Sequence, residues 1–422
     1  MQKTKALTIS KPDRVLRGRL QLPASKSISN RLLLIRALSG QPMTIGNLSD
    51  AADTLLLQRL LDQAAAAMIR KKPAELDAAN AGTVLRFLTA WLAIQPGRWV
   101  LTGSDRMKQR PVGILADALN QLGASIDYLA KPGYPPLLIR GGALNGYEVS
   151  VDAGTSSQFT TALLLIAPCL PGGLMLRLKG TRVSSSYTQM TIRLMRHHGA
   201  DVRSGKSWIR VMPVPYKPLD HVVEPDWSAA AFWYEAAVLA DEVDLVLTGF
   251  TAESLQGDAI LPGLFSNFGI VTEFRPDGIR LTRQPNRIDG FYFNFLDCPD
   301  IVQAVVATCA GLGIRGRFEG VQSLRIKETD RLLAMKNELE KLGMQVTFQS
   351  ERGTVSVLEF RPGKLHYPEG LAFDSYGDHR TAMSLAPLAL RAGSLRITNP
   401  DVVEKSYPSF WQHLEQVGFV IQ

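Results

Sequence analysis

A sequence pattern that recurs along the 422-residue chain constrains its possible folds more than any other feature. A stretch with helical periodicity is followed by a glycine and then by a short alternating segment. The five copies are ALNQLGASI, LMRHHGADV, LFSNFGIVT, ELEKLGMQV and HLEQVGFVI, with their glycines at Gly123, Gly199, Gly269, Gly343 and Gly418. The glycines are 70 to 76 residues apart, and each one fits a left-handed cap that ends a helix. They therefore indicate a structural repeat.

Strand-like segments precede the same helices and end at Gly103, Gly180, Gly249 and Gly320. A second helix begins elsewhere in each copy, and an atypical first copy ends near LLQRLLDQAAAAM, which gives six units of about 70 residues. Each unit mixes two helices with several strands, so the pattern predicts an α/β (α+β) fold. One hydrophobic core rarely serves a chain this long, and two closed groups of three units are expected rather than an open solenoid.

The amino-acid composition indicates which class of partner and which cellular compartment to expect. The net charge of +8 favours an anionic partner, either nucleic acid or small phosphorylated and carboxylated molecules. Cys169, Cys298 and Cys309 have no metal-ligand spacing and form no even disulfide set, which suits a reducing cytoplasm. The N-terminus lacks the apolar core of a signal peptide, and the longest apolar run is broken by Pro and Gly. We expect a soluble cytoplasmic protein.

Cations follow the strand-ending glycines in some units and not in others. They are Arg106, Lys108, Arg110, Arg182, Arg325, Lys327, Arg331 and, at the matching place in the last unit, Lys405. The stretch after Gly249 has no base there, only Glu253 and Asp258. The repeat thus requires the glycines but not the cations, and an anion bound at helix N-termini would explain them. The alternative for SLRIKETDRL, which is expected to begin an amphipathic helix, is a solvated face with balanced charges.

The second series of helices begins with polar residues as well. These are Ser25, Lys26, Ser27 and Arg31 in the first, Thr155, Ser156, Ser157 and Gln158 in another, and Asp378, His379 and Arg380 in the last. The serines are also ordinary N-caps, Arg31 could snorkel from a half-buried helix, and His379 is expected to be a satisfied core histidine. Lys26 and Arg380 fit these explanations less well, because a cation is unfavourable at a helix N-terminus.

Common nucleotide and metal motifs are missing from the sequence. It contains no G-x-x-x-x-G-K-[ST], no G-x-G-x-x-G opening a helix after the first strand and no H-E-x-x-H. The bases occur singly at matched places, whereas a nucleic-acid groove usually has a continuous basic stripe with interleaved aromatic residues. NAGTVLRF offers a close backbone approach at Gly82, although this signal is weak by itself. Small anions are therefore favoured over nucleic acid.

Taken together, the motifs resemble the ordered signature set of the 5-enolpyruvylshikimate-3-phosphate synthase family. They are LPASKSISNRLLLIRAL, NAGTVLRFLTA, DRMKQRPVGILADAL, SSQFTTALLL, PDIVQAVV, LRIKETDRL, GDHRTAMS and EKSYPSFWQHL, which extend from residue 22 to 415. The resemblance implies two similar domains, each of three βαβαββ units, joined by a two-stranded hinge around a cleft. The expected domains are residues 1–18 with 226–422, and residues 19–225.

The resemblance also implies an activity. A member of this family transfers the enolpyruvyl (1-carboxyvinyl) group of phosphoenolpyruvate to the 5-hydroxyl of shikimate 3-phosphate and releases phosphate by addition and elimination. This reaction is a shikimate-pathway step toward chorismate and the aromatic amino acids. The expected partners are these two substrates, with no cofactor, no metal, no nucleic acid and no membrane, and the protein is expected to be a monomer.

Site residues follow from the resemblance, motif by motif. Shikimate 3-phosphate would be bound by Lys26, Ser27, Arg31, Ser156, Ser157, Ser184, Asp300 and Lys327. Phosphoenolpyruvate would be bound by Lys26, Gly82, Arg106, Gln158, Arg331, Arg380 and Lys405. Asp300 would act on the hydroxyl and Glu328 at the methylene carbon, with Lys26 assisting where charge develops. The chain departs from the usual family pattern at Phe87, at Ser323 and in SSSY around Ser184.

Two other functions remain as alternatives. A sister enolpyruvyl transferase acting on UDP-N-acetylglucosamine shares the six-unit architecture, but it should have a Lys-Asn pair and a cysteine near residue 115. Here Ser27 follows Lys26, and residues 103–123 contain no cysteine. A non-enzymatic repeat scaffold could instead bind nucleic acid or acidic partners through the same bases. Salt-dependent DNA binding without any effect of small molecules would favour that scaffold.

Overall fold

A computed structural model describes residues 5–351 and 354–422 of the chain. Its helices, within those ranges, are α1 Lys26–Ser39, α2 Ala52–Arg70, α3 Gly82–Ala93, α4 Gly113–Gln121, α5 Ser157–Ile166, α6 Ser185–His197, α7 Trp227–Leu239, α8 Leu261–Ser266, α9 Val302–Leu312, α10 Arg331–Glu340, α11 His379–Leu385, α12 Ala389–Ala392 and α13 Phe410–Gln416. Its strands are β1 Ala6–Ser10, β2 Val15–Leu20, β3 Ile45–Gly46, β4 Ala74–Asp77, β5 Gly97–Thr102, β6 Ser125–Tyr128, β7 Leu137–Gly141, β8 Glu148–Asp152, β9 Leu174–Lys179, β10 Val202–Ser204, β11 Trp208–Val211, β12 His221–Val222, β13 Glu242–Thr248, β14 Ile270–Arg275, β15 Gly278–Arg283, β16 Gly290–Asn294, β17 Arg315–Glu319, β18 Met344–Glu351, β19 Thr354–Pro362, β20 Ala372–Phe373, β21 Ser394–Thr398 and β22 Val420–Ile421.

The internal contacts divide the chain into two units. Unit 1 takes the N-terminal residues up to Ser25 together with Glu224–Gln422, and unit 2 takes Lys26–Val223. The chain leaves and re-enters unit 1 through adjacent antiparallel segments, in which the Ser25 amide donates to the Glu224 carbonyl at 2.9 Å. β2 stays in unit 1 because it pairs along its whole length with β13, so the contact boundary follows Ser25 and lies beyond residue 18.

In the part of the chain that the structure describes, each unit contains three sheets. Unit 1 has four-stranded sheets in the orders β14-β15-β13-β2, β16-β17-β19-β18 and β20-β21-β1-β22. Unit 2 has β4-β5-β7-β6, β10-β11-β9-β8 and the short parallel pair β3–β12. Every four-stranded sheet has one parallel pair, such as β8 with β9 and β16 with β17. A parallel pair requires a crossover, which α5 and α9 supply in these two cases.

The predicted repeat is confirmed by the order of the elements. The segments β4–β7, β8–β11 and β16–β19 each run strand, helix, strand, helix, strand, strand. All five cap glycines have φ between +81° and +105°, a left-handed conformation that a side chain disfavours. The atypical first copy contributes α1, α2 and the minimal β3–β12 pair. The mixed α/β class expected from the sequence is therefore the observed one.

The most apolar helices lie inside the units. All 13 residues of α7 are buried, as are 11 of the 12 residues of α3 and nine of the 10 residues of α5. A helix that is apolar on all sides must be enclosed by other elements. The strands are buried on alternate residues, as in β9, and so keep one polar face. Among residues 5–351 and 354–422, no helix combines the length and apolar character that a membrane crossing requires.

Candidate functional site

A network of charged side chains surrounds Arg331 in unit 1. The Arg331 guanidinium donates from Nε to Asp378 at 2.8 Å and from Nη2 to Glu328 at 3.0 Å. Its Nη1 lies 3.4 Å from Asp300, whose other carboxylate oxygen is 3.0 Å from Arg380 Nη2. We call this set, completed by Lys405 with its Nζ 3.9 Å from Glu328, the Arg331 network. Four separate stretches of the chain thus meet around one guanidinium.

Local capping places Arg331 at the start of α10. The Asp330 carboxylate accepts from the Leu333 amide at 3.2 Å and caps the helix, so Arg331 is its first residue. Residues Gln322–Ile326 form a separate 3-10 turn, and Lys327 leaves that turn in an extended conformation. The prediction that SLRIKETDRL begins a helix is therefore wrong for its first eight residues. Because the segment between the 3-10 turn and α10 is not helical, Glu328 can accept a hydrogen bond from Arg331.

Asp378 and Arg380 are fixed by the N-terminus of α11. The fully buried Asp378 carboxylate accepts from the Arg380 amide at 2.8 Å and from the Thr381 amide at 3.4 Å. The same carboxylate binds Arg331, which links the N-termini of α10 and α11. Arg380 Nη1 also donates to the Asp300 backbone carbonyl at 2.9 Å. Asp300, two residues before α9, is therefore held from both its side chain and its backbone.

Burial and the surrounding charges together shift the pKa values of two buried groups. Burial alone would lower the pKa of Arg331, but Asp378, Glu328 and Asp300 more than offset this effect and raise the pKa above its usual value. Burial, followed by the charge of Asp300, raises the pKa of Asp258 to about 7. The Asp258 carboxylate accepts a hydrogen bond from Ser228 near the start of α7. Asp258 is thus a second carboxyl whose ionisation is coupled to that of Asp300.

In unit 2, Gly82 opens α3 beneath two buried arginines. A Cβ at Gly82 would lie 2.5 Å from Arg86 Nη1 and 2.6 Å from Arg110 Nη2. Arg86 donates to the carbonyls of Gly82 and Pro111 at 3.0 and 2.8 Å, and Arg110 donates to the Asn80 carbonyl at 3.1 Å. The absence of a side chain at Gly82 therefore allows both guanidiniums to pack against the helix N-terminus.

Gln158 reaches the same helix N-terminus from α5. Its Nε2 donates to Thr83 Oγ1 at 3.1 Å, and Thr83 directly follows Gly82. Ser156 caps α5 by accepting from the Gln158 amide at 3.2 Å, and Ser157 is the buried first residue of that helix. The structure thus brings Gly82 and Gln158 together, while Ser156 has the capping role expected of a serine in this position.

Arg31 connects α1 with α6. Its guanidinium donates to Thr191 Oγ1 at 2.8 Å, to the Ser27 carbonyl at 2.8 Å and to the Tyr187 carbonyl at 3.3 Å. Burial lowers the pKa of Arg31 to about 10, and the side chain is only 3% exposed, so it does not snorkel toward solvent. Ser184, whose carbonyl accepts from the Tyr187 amide, precedes α6 with φ +54°, which is unusual for a residue with a side chain.

The remaining predicted residues are placed as follows. Lys26, the first residue of α1, lies 3.2 Å from Asp53 and is 14% exposed. Arg106 is half-buried just after β5, and Lys327 is half-buried before α10. Contacts within unit 1 therefore join Asp300, Glu328, Arg331, Arg380 and Lys405, and contacts within unit 2 form three smaller groups. The structure adds Asp53, Arg86, Arg110, Asp258 and Asp378. Of these, the sequence pattern draws attention to Arg110 and Asp258 after strand-ending glycines and to Asp378 at a helix start.

Known proteins are similar to this chain over almost its whole length. The profile of the family described as EPSP synthase (3-phosphoshikimate 1-carboxyvinyltransferase) matches residues 10–414. A 3-phosphoshikimate 1-carboxyvinyltransferase of Bacteroides fragilis is 41% identical over 419 residues, with 98% of each chain covered. One of a Sulfurovum species is 34% identical and covers 97% of this chain and 98% of its own.

Solved structures agree in fold. The EPSP synthase of Acinetobacter baumannii superposes with a TM-score of 0.76 at 22% identity and covers 99% of this chain and 100% of its own. The enolpyruvyl transferase NikO of Streptomyces tendae superposes with a TM-score of 0.71 at 16% identity, with 99% of both chains covered. At these identities the structures establish the fold alone, whereas the profile and the curated relatives establish the family. The chain belongs to the EPSP synthase (3-phosphoshikimate 1-carboxyvinyltransferase) family.

Proposed function

We propose that this protein transfers the 1-carboxyvinyl group of phosphoenolpyruvate to the 5-hydroxyl of shikimate 3-phosphate and releases inorganic phosphate. In the addition step the hydroxyl oxygen bonds to C2 of phosphoenolpyruvate while C3 gains a proton and becomes a methyl group. In the elimination step the bond between C2 and the phosphate oxygen breaks and C3 loses a proton, which restores the double bond. The products are the enolpyruvyl ether and phosphate.

The Arg331 network is the observation that supports this function best. It joins cations with three carboxylates, and its members come from four of the family motifs: PDIVQAVV, LRIKETDRL, GDHRTAMS and EKSYPSFWQHL. Both substrates have a phosphate and a carboxylate, which guanidinium groups recognise by paired hydrogen bonds. Addition followed by elimination also needs a group that accepts one proton and a group that exchanges another, and carboxylates can do both.

The binding roles are assigned by motif position. We assign shikimate 3-phosphate to Lys26, Ser27, Arg31, Ser156, Ser157, Ser184, Asp300 and Lys327. We assign phosphoenolpyruvate to Lys26, Gly82, Arg106, Gln158, Arg331, Arg380 and Lys405. Gly82 and Gln158 support the second assignment, since they meet at the N-terminus of α3, where backbone amides favour an anion.

Asp300 and Glu328 divide the proton transfers in this proposal. Asp300 accepts the hydroxyl proton, and Glu328 donates a proton to C3 and later removes one. Arg331 contacts both carboxylates, at 3.4 and 3.0 Å, and thereby sets their orientation. Lys26 stabilises charge that develops on the reacting oxygen atoms. Asp378 acts as a positioning residue, because its contacts are with the Arg331 side chain and with the backbone of α11.

Phosphate release tests the reaction. Purified protein with phosphoenolpyruvate should release phosphate when shikimate 3-phosphate is added and should release none without it. UDP-N-acetylglucosamine is the control co-substrate, because the sister transferase uses it. Release that does not depend on shikimate 3-phosphate, or that UDP-N-acetylglucosamine supports equally well, would overturn the proposal.

The acid–base role of Glu328 has its own test. Glu328→Gln keeps the size of the side chain but removes the exchangeable proton, so kcat should fall by about 10² to 10⁴ while the KM values change little. Glu340→Gln is the matched control, because Glu340 is exposed on α10 and pairs only weakly with Lys336 at 2.8 Å in the structure. Equal turnover in the two variants would remove Glu328 from the proton transfers but would leave the overall reaction intact.

We further propose that the protein works as a monomer in the cytoplasm. Every residue assigned above comes from a single chain, so the reaction does not require a second copy. Cys169, Cys298 and Cys309 are free thiols, which is the usual state in a reducing compartment. Light scattering coupled to size-exclusion chromatography would detect a stable dimer, and a dimer that forms at assay concentrations would contradict the monomer proposal.

A further inference from the structure

Three of the six histidines in the sequence form a cluster in unit 2. His197 is the last residue of α6, His198 follows it, and His221 lies on β12. Their ring centroids are 5.0, 5.3 and 5.9 Å apart, and their ligand nitrogens all lie within 4.8 Å of one another. Ser184 is at the opposite end of α6, whose 13 residues span about 20 Å. The histidine cluster is therefore distant from this candidate substrate ligand.

Folding alone does not explain a histidine at position 198. His198 directly precedes the cap glycine of its unit, and the corresponding residues of the other four copies are Leu122, Phe268, Leu342 and Val417. All four are buried and apolar, and His198 is equally buried, with 0% exposure. The repeat thus requires a buried side chain here but not a polar one. The imidazole has a desolvation cost that an apolar residue would not have.

The hydrogen bonds of His198 point to an unused ligand atom. Nδ1 lies 3.2 Å from the Lys217 carbonyl, and the Lys217 amide donates back to the His198 carbonyl at 2.8 Å. A carbonyl can only accept, so Nδ1 must be protonated and Nε2 must have the lone pair. Within residues 5–351 and 354–422, Nε2 has no hydrogen-bond partner although it is buried. An Nδ1–H bound to a carbonyl with Nε2 directed at a metal is the usual arrangement of a metal-binding histidine.

We propose that His197, His198 and His221 bind one divalent transition-metal ion of the zinc class, with water completing the coordination. Three imidazoles suit Zn²⁺, Co²⁺, Ni²⁺ or Cu²⁺, whereas Mg²⁺ and Ca²⁺ prefer oxygen ligands. Tetrahedral bonds to nitrogen bring the ligand atoms to about 3.3 Å from one another, so the rings must approach by roughly 1.5 Å at most. His197, which is exposed at a helix end, and His221, which is half-buried on the two-residue strand β12, can supply this movement.

The position of the cluster favours a bound cation. The carbonyl end of α6 carries partial negative charge beside His197. A bound ion would tie the end of α6 to the β3–β12 pair.

Calorimetric titration of the chelator-treated full-length protein with Zn²⁺ is the direct test. Wild-type protein should bind one equivalent, and Co²⁺ should give the visible absorption of a low-symmetry site. His197→Ala and His221→Ala each remove one ligand and should weaken binding at least about tenfold, since even the loss of an outer-shell partner has that effect. His366→Ala is the matched control, because His366 is exposed and lies outside the cluster. It should bind like wild type.

Thermal unfolding gives a second readout that does not depend on turnover. Saturating Zn²⁺ should raise the Tm of wild type and of His366→Ala, and it should raise the Tm of the two cluster variants much less. Circular dichroism without metal verifies that all the variants are folded. Absence of one-equivalent binding in wild type, or equal affinity in wild type and both cluster variants, would overturn the proposal. Neither outcome depends on whether the protein acts on shikimate 3-phosphate.

Discussion

Replacing Asp378 with asparagine tests how much the buried charge at the centre of the Arg331 network contributes to stability. Asp378 is fully buried and Arg331 is 1% exposed, and two hydrogen bonds of 2.8 and 3.4 Å join them. Asp378→Asn keeps the shape of the side chain and can still cap α11 through its oxygen, because asparagine is as good an N-cap as aspartate. The change therefore removes the charge and keeps the cap.

The magnitude follows from what Arg331 keeps. Removing one partner of a buried ion pair costs about 3–5 kcal/mol, because the other charge stays buried without compensation. Glu328 at 3.0 Å and Asp300 at 3.4 Å still face the guanidinium, so we expect the lower end of that range, about 3 kcal/mol. The new amide NH₂ would also face the N–H donors of Arg331. The loss of stability should therefore be at least as large as the contribution of one charge-assisted hydrogen bond.

A matched substitution supplies the control. Asp244 also makes two hydrogen bonds to an arginine, at 2.6 and 2.9 Å to Arg280, but this pair is half-exposed at 48% and 33%. Asp244→Asn should cost less than about 1 kcal/mol, because solvent screens the pair. Both residues belong to unit 1, so urea unfolding compares them in the same cooperative element. If Asp378→Asn lost no more stability than Asp244→Asn, the network would not be the stabilising centre that its burial implies.

Three further outcomes are expected. Gly82→Ala should raise the KM for phosphoenolpyruvate at least tenfold in steady-state kinetics, because the new methyl group would displace Arg86 and Arg110, which would lie 2.5 and 2.6 Å away; an unchanged KM would show that these guanidiniums are not needed. Arg31→Lys should lose about 2 kcal/mol in urea unfolding, because lysine cannot reproduce the three directed bonds that join α1 to α6; a loss within error would contradict this. Burial raises the pKa of Glu235 well above its usual value of 4.5. Between these two pKa values, Glu235 is ionised in the unfolded chain and protonated in the folded chain. The free energy of unfolding therefore falls by about 1.4 kcal/mol per pH unit as the pH rises. Glu235→Gln should therefore become progressively more stable than wild type as the pH rises through this window, and a constant difference would refute the argument.

The repeat made much of the fold accessible from the sequence. Helix-capping glycines and strand ends recur at nearly constant spacing, and the structure has left-handed glycines at all five predicted caps. The β3–β12 pair was not predicted, because two residues on each side leave no alternating pattern to detect. The break before α10 was also missed, since Asp330 and the acidic-basic run around it fit a continuous helix as well as an interrupted one.

The candidate site was only partly accessible for a different reason. Asp378 and Arg331 are 47 residues apart, and no local pattern reveals that they share two hydrogen bonds. Asp258 had seemed significant only as the acidic residue of a unit that lacks bases. Its burial and its coupling to Asp300 appear once the 3-10 turn Gly257–Ile260 packs beneath α7. Residue types in the sequence can indicate an anion site. Side-chain pairs that are distant in sequence can be identified only from the folded structure.

In a repeat protein, each residue can be compared with the residues at equivalent positions of the other units. This comparison distinguishes three kinds of exceptional residue. The cations of the Arg331 network have no counterpart in the unit around Gly249, and they take part in the proposed reaction. Glu235 is the ninth residue of α7, where α3, α5 and α9 have the buried apolar residues Ala90, Leu165 and Ala310, and within residues 5–351 and 354–422 its carboxylate has no hydrogen-bond partner. His198 is equally exceptional in its position, but its ring is oriented by Lys217 and lies beside two other histidine rings. Burying the ionisable side chain of Glu235 without a partner should have a cost that substitution removes. His198, in contrast, is held beside two other histidines and should bind a metal ion with them. Opposite outcomes are therefore expected at the two positions: Glu235→Gln should stabilise unit 1, and removing a histidine from the cluster should abolish a metal-dependent gain in stability.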